Sequence, residues 1–159
     1  MMATLLPALI HRECIDLDRL VATCLNRHAL RLEFARSGSE DILADSLAAC
    51  LHSFYGGLER MFEAVVREID GTRGRSPEWH GELLQAVSVE RPGMRPPVIS
   101  ETSYRDLQEY RSFRHLFRHL YTHLIDPARV FRIMDSLEGV WKSVRDDLMR
   151  FKRFLEAAP

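Results

Sequence analysis

One fourteen-residue stretch concentrates side chains that can move protons and bind phosphate. Residues 110–123 read YRSFRHLFRHLYTH, with three arginines, three histidines and no acidic residue. Histidine exchanges protons near neutral pH, and the planar arginine guanidinium matches the geometry of phosphate oxygens. Together these groups could cleave a phosphodiester without a metal ion, because histidine can act on a proton while arginine stabilises the charge of the transition state.

Helical periodicity, at about 100° per residue, predicts that this stretch has one polar and one apolar face. The polar face would carry Arg111, Arg114, His115, Arg118, His119 and Thr122. The apolar face would carry Phe113, Leu116, Phe117, Leu120 and Leu124. The same projection places Tyr121 at the margin of the polar face, almost in line with Arg114 and about two helical turns beyond it.

Three other interpretations of the polar face remain open. It could be a solvated surface, although such surfaces usually mix acids with bases. His115, His119 and His123 step by four and could share a zinc ion, although the flanking arginines would repel a dication. One histidine could accept a phosphoryl group, although that chemistry does not require a cluster of basic residues.

Composition restricts the class of protein. The chain has 159 residues, of which 46% are hydrophobic and 28% charged, with a formal net charge of -1. A nucleic-acid site must therefore be a local patch, because the whole molecule is not basic. No apolar run could span a bilayer, and the N-terminus lacks the basic region of a signal peptide. We expect a cytoplasmic protein whose three cysteines, Cys14, Cys24 and Cys50, are reduced core thiols.

Apolar residues recur at three- and four-residue steps through most of the chain, which predicts an all-α fold. We expect long helices at Leu9 to Phe34, about Glu40 to Ile69, Ser103 (as the cap) to about Leu124, and Pro127 to about Glu156. A short helix would begin at Pro77. This pattern predicts one domain, residues 1–159, folded as an up-and-down four-helix bundle with one extra short helix.

Glycine and proline mark the interruptions of this pattern. Gly56-Gly57 lies inside the second helix and indicates close packing of a neighbouring helix. Residues 71–76, GTRGRS, should form a loop. Residues 91–100, RPGMRPPVIS, contain too much proline for a helix and should form an ordered connector over the surface.

The basic stretch resembles a known motif. Arg114, His119 and Tyr121 match the Arg-x4-His-x-Tyr motif of the HepT toxins, which belong to the HEPN superfamily of ribonucleases. Residues 51–63, Trp79-His80 with Leu83-Leu84, and residues 95–100 are similar to a longer branch of HepT-like proteins. The resemblance therefore covers roughly residues 45–150. Many HepT members carry asparagine at the position of His115.

The resemblance implies a ribonuclease toxin of the HepT/MntA toxin–antitoxin type that needs no metal ion or cofactor. Arg114 and His119 would be catalytic, whereas Arg111, His115 and Arg118 would bind RNA phosphates. HEPN nucleases are homodimers in which each chain contributes an arginine and a histidine to the interface. A nucleotidyltransferase antitoxin would neutralise the toxin and could adenylylate Tyr121. The alternative is a non-catalytic HEPN-like binding partner of a nucleotidyltransferase.

Overall fold

The computed structural model describes residues 5–72 and 78–159, and the regular structure of this part is helical apart from one isolated bridge pair. The α-helices are α1 (Leu5–His28), α2 (Arg31–Arg36), α3 (Glu40–Val65), α4 (Trp79–Ser88), α5 (Glu101–His119) and α6 (Pro127–Ala157). A π-helical turn, Val66–Asp70, extends α3, and a 3-10 turn, Thr122–Leu124, separates α5 from α6. The prediction of an all-α fold is confirmed.

The long helices α1, α3, α5 and α6 form an up-and-down bundle, as their side-chain contacts show. Glu13 pairs with Arg60, whereas Arg27 further along α1 donates to Ser46 earlier in α3, so these two helices are antiparallel. Helices α3 and α5 are also antiparallel, because His52 contacts Arg114 whereas Phe54 contacts Tyr110. The same holds for α5 and α6, through the pairs Tyr110–Ile133 and Ser103–Asp147. The predicted topology is therefore confirmed for the described residues.

The apolar stripes predicted for the helices meet in one core. On α6 the buried members are Phe131, Met134, Leu137, Trp141, Val144, Leu148 and Phe151. The three cysteines are also buried and free, as expected. Ile42 in the first turn of α3 lies outside this core and is 62% exposed, whereas its neighbour Leu43 is buried.

Several predicted helix boundaries are wrong, including the end of α5 at His119 instead of about Leu124 and the start of α1 at Leu5 instead of Leu9. The segment from Leu9 to Phe34 is two helices, because the chain turns at residues 29–30 before α2 begins. The cap of α5 is Ser100, whose hydroxyl accepts a hydrogen bond from the backbone N–H of Ser103. Ser103 is buried instead and donates its hydroxyl hydrogen to Asp147. Pro77 and most of the predicted loop 71–76 lie outside the described residues.

The proline-rich connector, residues 91–100, was expected to lie over the surface, but part of it is buried. Val98 and Ile99 belong to the core, and the Arg95 side chain is 0% exposed. Both oxygens of the Asp70 carboxylate, itself 1% exposed, accept hydrogen bonds from the Arg95 guanidinium at 2.8 and 2.7 Å. This ion pair ties the connector to the end of α3 and so fixes α4 against the bundle. None of the described helices has the length and hydropathy to cross a bilayer.

Candidate functional site

The basic residues of α5 line one open pocket of about 680 Å³. All five residues assigned from the sequence to catalysis or phosphate binding line it, namely Arg111, Arg114, His115, Arg118 and His119. The remaining walls come from α3, through Tyr55 and Glu59, and from Glu78, His80 and Gly81 at the start of α4. The helical projection therefore grouped these five residues correctly.

Arg114 is held by contacts with α3 on the inner side of the pocket. Its side chain is 19% exposed, and its Nε lies 2.6 Å from Oε1 of Glu59. Its Nη1 donates to the backbone carbonyl of His52 at 3.0 Å and lies 3.2 Å from Nε2 of the same histidine. Burial, together with the charges of Arg114 and Arg118, lowers the pKa of His52. The neutral imidazole can therefore accept a hydrogen bond from Arg114.

Gly56 makes room for this arrangement. A Cβ atom at position 56 would lie only 2.7 Å from Nη1 of Arg114. At the neighbouring Gly57 a Cβ atom would instead lie 2.9 Å from Cδ2 of Leu17. The glycine pair was interpreted as a sign of close helix packing. The structure assigns one glycine to packing with α1 and the other to the seat of Arg114.

Five residues of the pocket were not assigned a role from the sequence, namely Tyr55, Glu59, Glu78, His80 and Gly81. Glu59 is 4% exposed and contacts both the Arg114 guanidinium and Nδ1 of His80. The sequence does contain a signal for Glu59. It lies one helical turn beyond Tyr55 and two turns beyond His52, on a helix that is largely buried. A glutamate is rarely buried without a partner, so this position could have indicated a buried cation nearby.

The pocket is less basic than the α5 stretch alone suggests. Glu59 and Glu78 bring two negative charges to the three arginines, which leaves a formal charge of +1 with neutral histidines. One of these carboxylates, Glu59, is already held between a guanidinium and an imidazole.

Within residues 5–72 and 78–159, no three carboxylate, histidine or cysteine side chains lie together as a metal site requires.

Tyr55 adds an uncharged donor to the pocket. Its side chain is 1% exposed, and its buried hydroxyl makes no hydrogen bond within the described part of the chain. Burial and the nearby Glu59 charge raise its pKa, so the hydroxyl keeps its proton. It is therefore a neutral donor, unpaired among the residues that the structure describes and buried in the wall of the pocket.

Tyr121 does not lie on α5, as the sequence projection assumed. The helix ends at His119, and Leu120 is extended with φ −114° and ψ 149°. Tyr121 is 77% exposed and stacks on His123, with 5.9 Å between ring centroids. The helical line from Arg114 to Tyr121, and the three-turn row of histidines considered for zinc, are therefore both interrupted after His119.

Comparison with protein families relates most of the chain to a known family. A family model described as "HepT-like protein" matches residues 46–155, which is more than half of the chain. The matched region includes α4 and α5, most of α3 and α6, and every residue that lines the pocket. Comparison with curated proteins and with solved structures gave no match.

Proposed function

Because this chain belongs to the HepT-like family of the HEPN superfamily, we propose that it is a toxin that cleaves RNA without a metal ion. The observation that carries the proposal is the convergence of three arginines and the two histidines of α5 on one open pocket. Metal-free cleavage needs groups that transfer protons and cations that stabilise the phosphorane-like transition state. Both kinds of group line the pocket, and they include the arginine and histidine of the family motif.

In the proposed reaction, His119 accepts the proton of a ribose 2′-hydroxyl as its oxygen attacks the adjacent phosphorus. The O2′–P bond forms and the P–O5′ bond breaks, giving a 2′,3′-cyclic phosphate and a 5′-hydroxyl end. Arg114 stabilises the negative charge of the transition state. Arg111, His115 and Arg118 hold the phosphates on either side, since they lie more openly along the same pocket.

Membership in the family suggests two partners, a second copy of this chain and a nucleotidyltransferase. A second copy of the chain would place another α5 opposite the first, with an arginine and a histidine from each. A nucleotidyltransferase antitoxin would neutralise the toxin. The exposed segment after α5, which carries Tyr121, would be within reach of such an enzyme.

We expect purified protein to cleave RNA in excess EDTA, because the proposed mechanism uses side chains alone. The measurement is gel analysis of a short RNA, with its ends identified by mass spectrometry as a 2′,3′-cyclic phosphate and a 5′-hydroxyl. A matched oligonucleotide with one 2′-deoxy nucleotide at the cleavage position should stay intact. Activity that requires Mg²⁺, or products with a 5′-phosphate, would contradict the mechanism.

The alternative is a non-catalytic partner of a nucleotidyltransferase, and one observation favours it. Arg114 is already neutralised by Glu59 and bonded to His52, as a purely structural arginine would be. In that case wild-type protein would leave RNA intact in EDTA and in Mg²⁺, yet still form a stable complex with the nucleotidyltransferase. The RNA experiment therefore separates the two functions.

We expect Tyr121 to accept AMP from a cognate nucleotidyltransferase supplied with ATP and Mg²⁺. The phenol is 77% exposed, so a partner enzyme can reach it, and a tyrosine oxygen can attack an activated phosphate. Intact mass measurement should show a gain of one or more AMP units that is lost in Tyr121→Phe. Tyr104→Phe serves as the control, because Tyr104 lies on α5 outside the pocket. An adduct that persists in Tyr121→Phe would contradict the assignment.

A further inference from the structure

The wall of the pocket formed by α4 contains a third histidine in a defined hydrogen-bonding arrangement. His80 lies at the start of α4, and its Nδ1 makes a short contact with Oε2 of the buried Glu59. The His80 side chain is 42% exposed and lines the pocket shared with His115 and His119. A carboxylate that holds Nδ1 fixes the ring orientation, so Nε2 is the nitrogen available to a ligand.

The phosphate-binding side chains approach this wall closely. A Cβ atom at Gly81, next to His80, would lie 3.6 Å from Nη1 of Arg111. Glu59 contacts both His80 and Arg114, so one buried carboxylate fixes an imidazole and a guanidinium at the same time. A phosphate bound between Arg111 and Arg114 would therefore lie beside the α4 wall as well as beside α5.

We propose that His80 is a catalytic residue that donates a proton to the leaving 5′-oxygen. The proposal rests on the proposed ribonuclease function, which assigns the opposite proton transfer to His119. As the P–O5′ bond breaks, the electron pair stays on O5′ and the Nε2 proton of His80 moves to it. His80 ends neutral and His119 ends protonated, and exchange of one proton with water restores both.

Glu59 is a positioning residue in this arrangement. It touches no reacting atom, but it sets the direction of the His80 ring and of the Arg114 guanidinium. Glu59 is itself 4% exposed. A buried carboxylate that contacts two partners at once has few alternative orientations.

The test uses two RNA oligonucleotides of one sequence, with oxygen or sulfur as the 5′ bridging atom at the cleavage position. A thiolate leaves without being protonated, so a missing general acid matters only for the oxygen substrate. The variant is His80→Asn, because the asparagine amide can still donate to Glu59 but lacks a counterpart of Nε2. We expect about 10²-fold slower cleavage of the oxygen substrate and less than about tenfold slower cleavage of the sulfur substrate.

Matched variants make the result specific. Glu59→Gln should also recover in part with sulfur, because it acts through His80. Arg114→Ala should stay slow on both substrates, because it removes charge stabilisation rather than the acid. If His80→Asn cleaves both substrates as wild type does, or loses equal activity on both, His80 is not the acid. If wild type cleaves neither substrate, the ribonuclease proposal itself has failed.

Discussion

Arg114→Ala and His119→Ala are each expected to slow RNA cleavage by about 10²–10³-fold. Arg114 is the arginine of the pocket with the most fixed orientation, since its Nε meets Glu59 and its Nη1 meets His52. A preorganised cation lowers the barrier more than a mobile one, because no reorganisation is needed when charge develops. The measurement is single-turnover cleavage of a short RNA in EDTA.

The control for losing an arginine is Arg132→Ala, because Arg132 lies on α6 with 70% of its side chain exposed and is not among the pocket residues. That variant should cleave RNA at the wild-type rate. Thermal unfolding followed by circular dichroism should show that all three variants remain folded. Wild-type cleavage by Arg114→Ala would remove it from the mechanism.

Gly56→Ala tests the position of Arg114 without removing its charge. The new methyl group would lie 2.7 Å from Nη1, so the guanidinium must move away from its seat. Alanine also favours a helix over glycine by about 1 kcal/mol, which offsets part of the cost of moving the guanidinium, so we expect slower cleavage by a protein that remains folded. Gly139→Ala has the same helical benefit in open space on α6 and should leave cleavage unchanged.

Arg95→Met is expected to lower the free energy of unfolding by about 3–5 kcal/mol. The Arg95 and Asp70 side chains are 0% and 1% exposed, so removal of the guanidinium leaves a carboxylate buried without its main partner. Arg91 lies 3.5 Å from the same carboxylate but is 43% exposed, and it cannot replace the two hydrogen bonds from Arg95. Urea unfolding at neutral pH measures the change.

A double variant separates the unpaired charge from the loss of packing. Asp70→Leu combined with Arg95→Met removes both charges and should recover much of the stability, because no carboxylate is then left buried. Arg105→Ala breaks an exposed pair with Glu101 and should change stability little. A loss below about 1 kcal/mol in Arg95→Met would mean that the ion pair contributes no more than a surface pair does.

The fold was predictable from the sequence because its helices are long and strongly periodic. The last helix, predicted from Pro127 to about Glu156, depends on such local signals, and the structure has α6 at Pro127–Ala157. The errors lie at helix ends, where the local signal was ambiguous. Ser103 and Ser100 are both capable of capping α5, and only the buried Asp147 determines which serine remains free to do so.

The site was predictable only on α5. Periodicity grouped Arg111, Arg114, His115, Arg118 and His119 because all five lie on one helix. Glu59 and His80 are far from α5 in the sequence, and only the packing of α3 and α4 brings them to the same pocket. The position of Tyr121 was wrong because a three- or four-residue step cannot show that the chain becomes extended at Leu120.

The pocket has two walls, formed by α3 and α4, that differ in local stability. Helix α3 contributes sixteen buried residues to the bundle, whereas the ten-residue α4 contributes three, Leu83, Leu84 and Val87. Segments with few buried contacts open at lower free energy than the core, as separate cooperative units. The amides of α4 should thus exchange with solvent sooner than those of α3. The wall that carries His80 could then open without unfolding the four long helices.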